Sequence, residues 1–426
     1  LGVAEQLVTG RASDSTAAQR WGEVIASAPE THSPGEHGSL RLRPAELTTE
    51  IVTTVAGIQA LKPDYERVHR LTGNTLPFAL QEWHLSWCSH FLNSSPWVHD
   101  EPRFCVLRNR SGDCSAIVPL ILTRWRVGPL RLATVDFLGA DPGLTEVRSP
   151  LIEPGCERLA VGAVHDSLAR VPDWDWIQWR GIDPRLAEAL ALESAPRWHA
   201  SLEDYVLDLP PSWQEFRAGL KRNVRESLRH CYNSLKRDGH VFEFIVAREP
   251  AEVRRALERF LQLHAMRAEM PWGVKHPNRF ASRPLREFLY DVCARLAARD
   301  AARVFQLKIG AQIVAARIGF IVADSLYLYY SGFDPAWARY SVMTTTVAEA
   351  LRYAIASGLR TVNLSLTAEQ SKLRWQPRRV ELRTALVPRA TLRSRIACGA
   401  YRLAVSRNGV AAWRLKSLLL PQRNWK

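Results

Sequence analysis

Between residues 303 and 387 the sequence spells strand, loop, helix and strand, and any fold for this chain has to accommodate that order. A β-rich run over 326–330 stops at Gly332, and Asp334-Pro335 marks a turn. A helical pattern then opens near Ser341, with apolar residues at Val342, Met343, Val347, Leu351 and Ile355, and Gly358 follows as a stop. A second strand is predicted over 361–366, and beyond it a polar loop carries Lys372 and Trp375. Strand, loop, helix N-terminus and strand together form one recipe for holding a pyrophosphate. The free N–H groups of Ser341, Val342, Met343 and Thr344 would face an anion, with Arg339 and Tyr340 placed to close over it. An ordinary crossover, its helix end meeting only water, satisfies the same pattern.

The 426-residue chain carries a net charge of +14, and that charge is local. Residues 217–237 hold seven Lys/Arg against Glu226, and residues 388–426 hold nine Lys/Arg and no acid, which leaves the remainder near neutral. The first run would suit a solvated face or a polyanion. The second has apolar residues among its arginines, which suits an interfacial helix on anionic lipid or a helix docked on the second lobe. Seven cysteines with no C-x-x-C pair argue against a disulfide framework or a structural zinc, and point to a reducing compartment. No apolar run reaches the ~18–20 residues of a membrane span, and the opening residues lack a basic-then-apolar signal pattern. The expected location is cytoplasmic, with 388–426 offering peripheral contact to the inner membrane face.

Residues 1–45 read as a flexible leader. A first lobe over 46–200 opens with a strand at 47–55, a helix at 58–71 and a helix at 80–92 whose Trp83, Trp87 and Phe91 form a core stripe. A hairpin (104–107 and 114–122), a strand at 130–138, a helix at 156–170 and a strand at 174–180 follow. A second lobe over 201–387 begins with a strand at 205–209 and one helix at 213–236, then continues through a strand at 242–246 and helices at 250–270 and 284–298. A three-stranded meander leads into the 303–387 stretch. Both lobes repeat hairpin, helix, strand, which suggests an internal duplication. Cys231 and Cys293 fall on apolar helix faces and read as buried thiols.

The run of residues 329–334, the loop into the Ser341 helix, Gly358 and then Asn363…Lys372…Trp375 resemble the C-terminal lobe of GNAT-type acyltransferases. Pro77-Phe78…Glu82-Trp83, Phe137-Leu138-Gly139, residues 221–225 and Leu263-His264…Arg267 extend the resemblance over about 47–387. It is most similar to the two-lobed CelD-like branch of cellulose and exopolysaccharide biosynthesis, itself related to FemABX-like peptidyl transferases. The resemblance implies an α/β (α+β) fold of tandem GNAT-like lobes, each a mixed, mostly antiparallel twisted sheet flanked by helices, the first degenerate. It also implies acetyl-CoA or another acyl-CoA as co-substrate, no metal, and direct transfer to a small-molecule or glycan acceptor. The sequence departs from the family at Ser341-Val342-Met343, where a Gly is usual, and at Asn363, where an Asp is usual.

Several residues are candidates for that chemistry. Lys372 suits an oxyanion or a donor phosphate, and His264 has the intrinsic pKa of a general base. Tyr329 and Tyr330 alternate along a strand, so one of them, Tyr330, is expected at the cleft as the acid for the leaving thiol. Arg267, one helical turn from His264, would pair with an acceptor anion. Trp375 and Asn363 complete the acceptor side, and Glu349 reads as a solvated helix residue. Two alternatives stand beside this reading: an aminoacyl-tRNA-dependent FemABX-like transferase, and a non-catalytic scaffold in a polysaccharide assembly.

Overall fold

Turn chemistry and alternation build the first lobe. In the computed structural model, which describes residues 47–127, 130–139, 143–271 and 276–406, β1 (Thr48–Val52) edges a hairpin of β2 (Val98–Arg108) and β3 (Cys114–Val127). The side-chain oxygen of Asn109 accepts from the amides of Ser111 and Asp113 and closes that hairpin. Helices α1 (Val55–Ala60), α2 (Lys62–Thr72) and α3 (Gln81–Phe91) lie between β1 and β2 in sequence. The single helix expected over 58–71 is split at Leu61, and Pro63 sits in the first turn of α2, where no N–H is required.

The lobe continues through β4 (Leu130–Phe137), β5 (Leu151–Ile152), α4 (Glu157–Ala169), β6 (Trp176–Ile182), α5 (Pro184–Glu193) and β7 (Arg197–Asp208). Helix α5 was not anticipated, although its start is written in the chain. Asp183 accepts from the amides of Arg185 and Leu186, and Pro184 occupies the first turn.

The second half reads α6 (Trp213–Gly219), α7 (Arg222–Arg237), β8 (Phe242–Ala247), α8 (Pro250–Ala268), α9 (Arg283–Ala298), β9 (Ala302–Ile309), β10 (Gln312–Val322) and β11 (Ser325–Phe333). It closes with α10 (Val342–Ala356), β12 (Thr361–Leu366), α11 (Gln370–Leu373), β13 (Arg378–Pro388) and α12 (Leu392–Ser406). The helix expected over 213–236 breaks at Leu220, whose backbone is extended and whose side chain is buried.

These strands share one sheet in the order β1-β2-β3-β4-β6-β13-β7-β12-β11-β10-β9-β8, with the short β5 paired to β3 off that path. The two halves exchange their last strands. β7 pairs with β12 of the second half, β13 pairs with β6 of the first, and β7 and β13 pair with each other. One large core lies beneath both halves. Trp83, Trp87 and Phe91 of α3 are buried there with Phe260, Phe288, Tyr327 and Tyr329. On the opposite face α10 packs with Phe216, Leu220, Val224 and Leu228 of the α6–α7 segment.

Helix α12 docks on the first lobe, not on the second, which was one of the two placements its sequence suited. Its Tyr401 stacks on Trp176 at 5.2 Å, Ser394 donates to Asp175, and Cys398 is fully buried. The reason is the exchange: β13 delivers the chain to β6. The tail beyond residue 406 and the leader at 1–45 lie outside the described residues. Among the described residues no helix is long and apolar enough to cross a membrane, and all seven cysteines are buried and unpaired.

Candidate active site

Strands β11 and β12 run parallel for only three pairs, from Ser325↔Thr361 to Tyr327↔Asn363. Beyond Tyr327 the two strands are no longer paired. On the β12 side the backbone turns through left-handed conformations at Ser365 (φ 73°) and Thr367 (φ 76°). On the β11 side a bulge places Tyr329 and Tyr330 opposite the single residue Ile318 of β10. Bulges re-aim side chains in this way, and the expected alternation fails here. Both hydroxyls point to one loop: Tyr329 donates to the Leu144 carbonyl at 2.6 Å and Tyr330 to that of Gly143 at 2.5 Å. Tyr330 is therefore tied to backbone and is not a free acid.

The same loop from the first lobe brings Glu146 to the gap. Tyr327 donates its hydroxyl to the Glu146 carboxylate, and Ser365 bonds it as well. Burial pushes the Glu146 carboxyl above its usual range despite those two hydrogen bonds. Across the gap Asn363 donates to Asp204 at 2.6 Å while its own oxygen accepts the Ser365 amide at 2.7 Å. Burial raises the Asp204 carboxyl too.

Lys372, in α11, donates to the Leu366 carbonyl. Its ammonium is pulled below the ordinary lysine value by burial, while Glu369, Glu146 and Asp204 work against that fall and Arg317 adds to it. Arg317 feels the same loss of solvent, and its pKa is lowered to about 10. Two carboxylates, an ammonium and a guanidinium therefore meet where the sheet opens.

His264 lies on the other flank, 4% exposed. Its Nδ1–H donates to the Ser331 carbonyl at 2.9 Å, and its Nε2 accepts the Arg279 amide at 3.3 Å. Burial lowers the pKa of the ring, and the nearby Arg267 and Arg279 add to that fall. With both nitrogens engaged it has no lone pair to offer a substrate. Arg267 donates to Ser331 Oγ at 2.8 Å and to His276 Nε2 at 2.7 Å, and burial lowers its pKa while Glu369 works against that fall. Helix α8 approaches β11 closely enough to place both residues because position 332 is glycine. A Cβ there would lie 2.4 Å from the His264 backbone nitrogen.

At the start of α10 the amides of Val342 and Met343 have no hydrogen-bond partner among the described residues. Ser341 takes the left-handed conformation (φ 52°) without the usual glycine. The Val342 side chain is buried with Leu235 and Ile309, so its bulk is turned away from those amides. Arg374 reaches the same turn, donating to Thr344 Oγ1 at 3.3 Å and Ser227 Oγ at 2.7 Å. The neighbouring Thr345 hydroxyl is buried without a partner.

Arg339 is largely exposed and donates to Tyr340, which is buried and itself donates to Asp238 at 2.9 Å. Tyr340 is thus a core residue, not a flap over a ligand. Trp375 is also core, stacked near Phe216 at 6.4 Å behind the loop of Lys372. Glu349 accepts from Tyr232 at 2.5 Å and pairs with Arg352, rather than lying on a solvated face.

Residues 222–373 match the acetyltransferase (GNAT) domain family. The protein carries a GNAT acyltransferase domain. That domain spans α7 to α11 and so contains the strand gap, the α10 N-terminus and Lys372. Among solved structures, FemX superposes with a TM-score of 0.53 at 11% identity, covering 79% of this chain and 96% of that one. The C-terminal domain of a putative lysylphosphatidylglycerol synthetase from Agrobacterium fabrum gives 0.46 at 14% identity, covering 82% and 98%. A tandem GNAT protein from the clavulanic acid biosynthesis pathway gives 0.41 at 13% identity, covering 80% and 98%. No curated protein matches the chain by sequence. The fold, shared with FemX, is one large mixed sheet flanked by helices, and its GNAT match lies in the second half.

Of the residues that carry charge into the gap, Glu146, Asp204 and Arg317 were not singled out from sequence. Glu146 had one available signal. It sits in a Gly- and Pro-punctuated stretch, 139–150, of the kind that carries function on loops.

Proposed function

We propose that the protein moves an acyl group from an acyl-CoA, acetyl-CoA being the simplest, to an amine or hydroxyl of a small-molecule or glycan acceptor. The observation that carries this reading is one juxtaposition: paired strands that part beside a helix whose leading amides are unpartnered. The donor's linked phosphates would take the amides of Val342 and Met343, with Arg374 and the exposed Arg339 as cationic neighbours. Its arm would enter between β11 and β12 and bring the thioester to Glu146 and Lys372. The CelD-like resemblance makes an amino sugar the first acceptor class to test, with Arg267 and Asn363 on its side of the gap. Exposed Leu392, Ile396 and Leu403 on α12 are compatible with peripheral contact to an anionic membrane.

In the transfer the acceptor nitrogen bonds to the thioester carbon and the carbon–sulfur bond breaks. Glu146, its carboxyl raised toward neutrality, takes the proton lost by the nitrogen. Lys372, its ammonium acidified by burial, stabilises the oxyanion and gives a proton to the departing thiolate. The proton on Glu146 then returns to Lys372 through the gap or to solvent. His264 and Tyr330 act here as positioning residues, since their polar atoms are already engaged. Trp375 backs the loop that presents Lys372. Lys372→Met is expected to lower kcat by about 10²–10³-fold with little change in donor affinity, measured with acetyl-CoA and an amino-sugar panel. Unchanged kcat would remove Lys372 from the mechanism.

One observation favours an aminoacyl-tRNA donor as a second reading. Helices α6 and α7 line a groove of about 620 Å³ with Arg217, Arg222, Arg225, Arg229 and, from α10, Arg352 against Glu226. A tRNA donor would bind there with affinity falling steeply as salt rises.

A further inference from the structure

Acyl transfer as described gives Arg317 no task, yet the sheet delivers it to the strand gap. In the β10–β11 ladder Arg317 stands directly opposite Ser331, and opposed residues of an antiparallel pair send their side chains to one face. Arg267 reaches the same serine from α8, its Nη1 donating to Ser331 Oγ at 2.8 Å. Two guanidiniums therefore flank a single hydroxyl, and the charge of Arg267 adds to the fall in the Arg317 pKa that burial begins. Buried charges are as a rule paired, but among the described residues neither guanidinium is hydrogen-bonded to a carboxylate. Arg317 Nη2 donates to the Leu328 carbonyl at 3.2 Å, and its Nε is buried without a partner. Arg267 spends its other terminal nitrogen on His276 Nε2 at 2.7 Å. Glu146 and Glu369 act on Arg317 through charge, while their own hydrogen bonds go to hydroxyls: Tyr327 and Ser365 for Glu146, Thr367 and Ser371 for Glu369.

Arginines away from the gap are treated differently. Arg108 takes both Asp64 and Glu50, and Arg103 and Arg124 share Glu101. We propose that Arg267 and Arg317 form a carboxylate subsite of the transfer centre, so that one of the two reacting partners, the acceptor or the acyl group, carries a carboxylate. Both side chains are half-buried and so can be reached from the gap. Their planar forks match the two oxygens of a carboxylate. Ser331 Oγ accepts from Arg267 and keeps its own hydrogen to donate to the same anion. A monoanion suits the place better than a phosphate dianion, because Glu146 and Glu369 would repel a second negative charge. This subsite deepens the acyl-transfer reading and rests on it.

The test measures kcat/KM of the full-length protein with acetyl-CoA and succinyl-CoA as donors and glucosamine and glucosaminuronic acid as acceptors. One carboxylate-bearing partner is expected to exceed its counterpart without the carboxylate by about 10–100-fold. A preference for succinyl-CoA places the carboxylate on the acyl group, and a preference for glucosaminuronic acid places it on the acceptor. Arg317→Gln should fold, since it removes a buried charge that no carboxylate pairs, and should bring that ratio close to one. Arg317→Lys keeps the charge without the fork and should hold an intermediate ratio. The ratio is read within each variant, so a general loss of activity does not disturb it. Calorimetric titration with glucosaminuronic acid and with free succinate requires no donor. Saturable binding that Arg317→Gln abolishes upholds the subsite even where no acyl group moves, and in that case the transfer reading alone fails. Equal rates with and without the carboxylate, or a preference that survives Arg317→Gln, overturns the subsite and leaves acyl transfer standing. Neither transfer nor binding overturns both.

Discussion

Replacing Glu146 with Gln is expected to lower acyl transfer by about 10²–10⁴-fold while raising the stability of the fold. The two effects share one cause. Burial holds the carboxyl above its usual pKa, so the folded protein holds that proton more tightly than the unfolded chain does. A group raised in this way contributes stability at low pH, and that contribution is lost as pH rises through the folded value. At neutral pH the ionised carboxylate therefore costs stability, and a neutral amide of the same shape removes the cost. Gln can still accept the Tyr327 hydroxyl, so the packing is kept. The gain in Tm should be visible at pH 8 and should vanish toward pH 4. Wild-type rate should fall on the acid side at a pH above the ordinary carboxylate range, and that limb should be absent from the residual activity of the variant. A variant within a few-fold of wild type, or one that is less stable at pH 8, would refute the assignment.

Gly332→Ala is expected to be the most damaging single methyl in the second lobe. The added Cβ would meet the His264 nitrogen at 2.4 Å and the Leu263 carbonyl carbon at 2.6 Å, and both are backbone atoms of α8. Backbone cannot rotate aside as a side chain can, so α8 must move or β11 must bend. Overpacking of this kind costs about 3 kcal/mol, and it would also pull His264 and Arg267 from Ser331. Gly162→Ala supplies the contrast. That glycine lies inside α4 with nothing within 4 Å of an added Cβ, and the change should stabilise by about 0.5–1 kcal/mol. Urea midpoints of the two variants check both signs.

Local pattern carried much of the fold. The α10 start at Ser341, the strand at Thr361–Leu366 and the stripe of Trp83, Trp87 and Phe91 follow from periodicity and punctuation that act within a few residues. What periodicity does not encode is pairing across the chain. The exchange of β7 and β13 joins segments some 170 residues apart, and neither strand differs in composition from one that stays at home. The same limit applies at the site. Lys372 and Asn363 lie on the stretch that reads as a ligand motif, whereas Glu146 reaches Tyr327 only through tertiary structure. Alternation misassigned Tyr330 because the bulge opposite Ile318 resets the side-chain period, and no residue type marks that bulge. His264 was read as a base from its intrinsic pKa and its place one turn from Arg267, and the contacts that occupy its two nitrogens come from residues 67 and 15 positions away.

Calorimetric titration of coenzyme A, with and without an acetyl group, onto the wild-type protein and Arg374→Gln tests the central claim most directly. The account predicts saturable one-to-one binding to wild type, weakened about tenfold by loss of the guanidinium beside the α10 amides. No binding, or binding indifferent to Arg374, would contradict it, and tight salt-steep capture of charged tRNA in its place would make the α6–α7 groove the donor site.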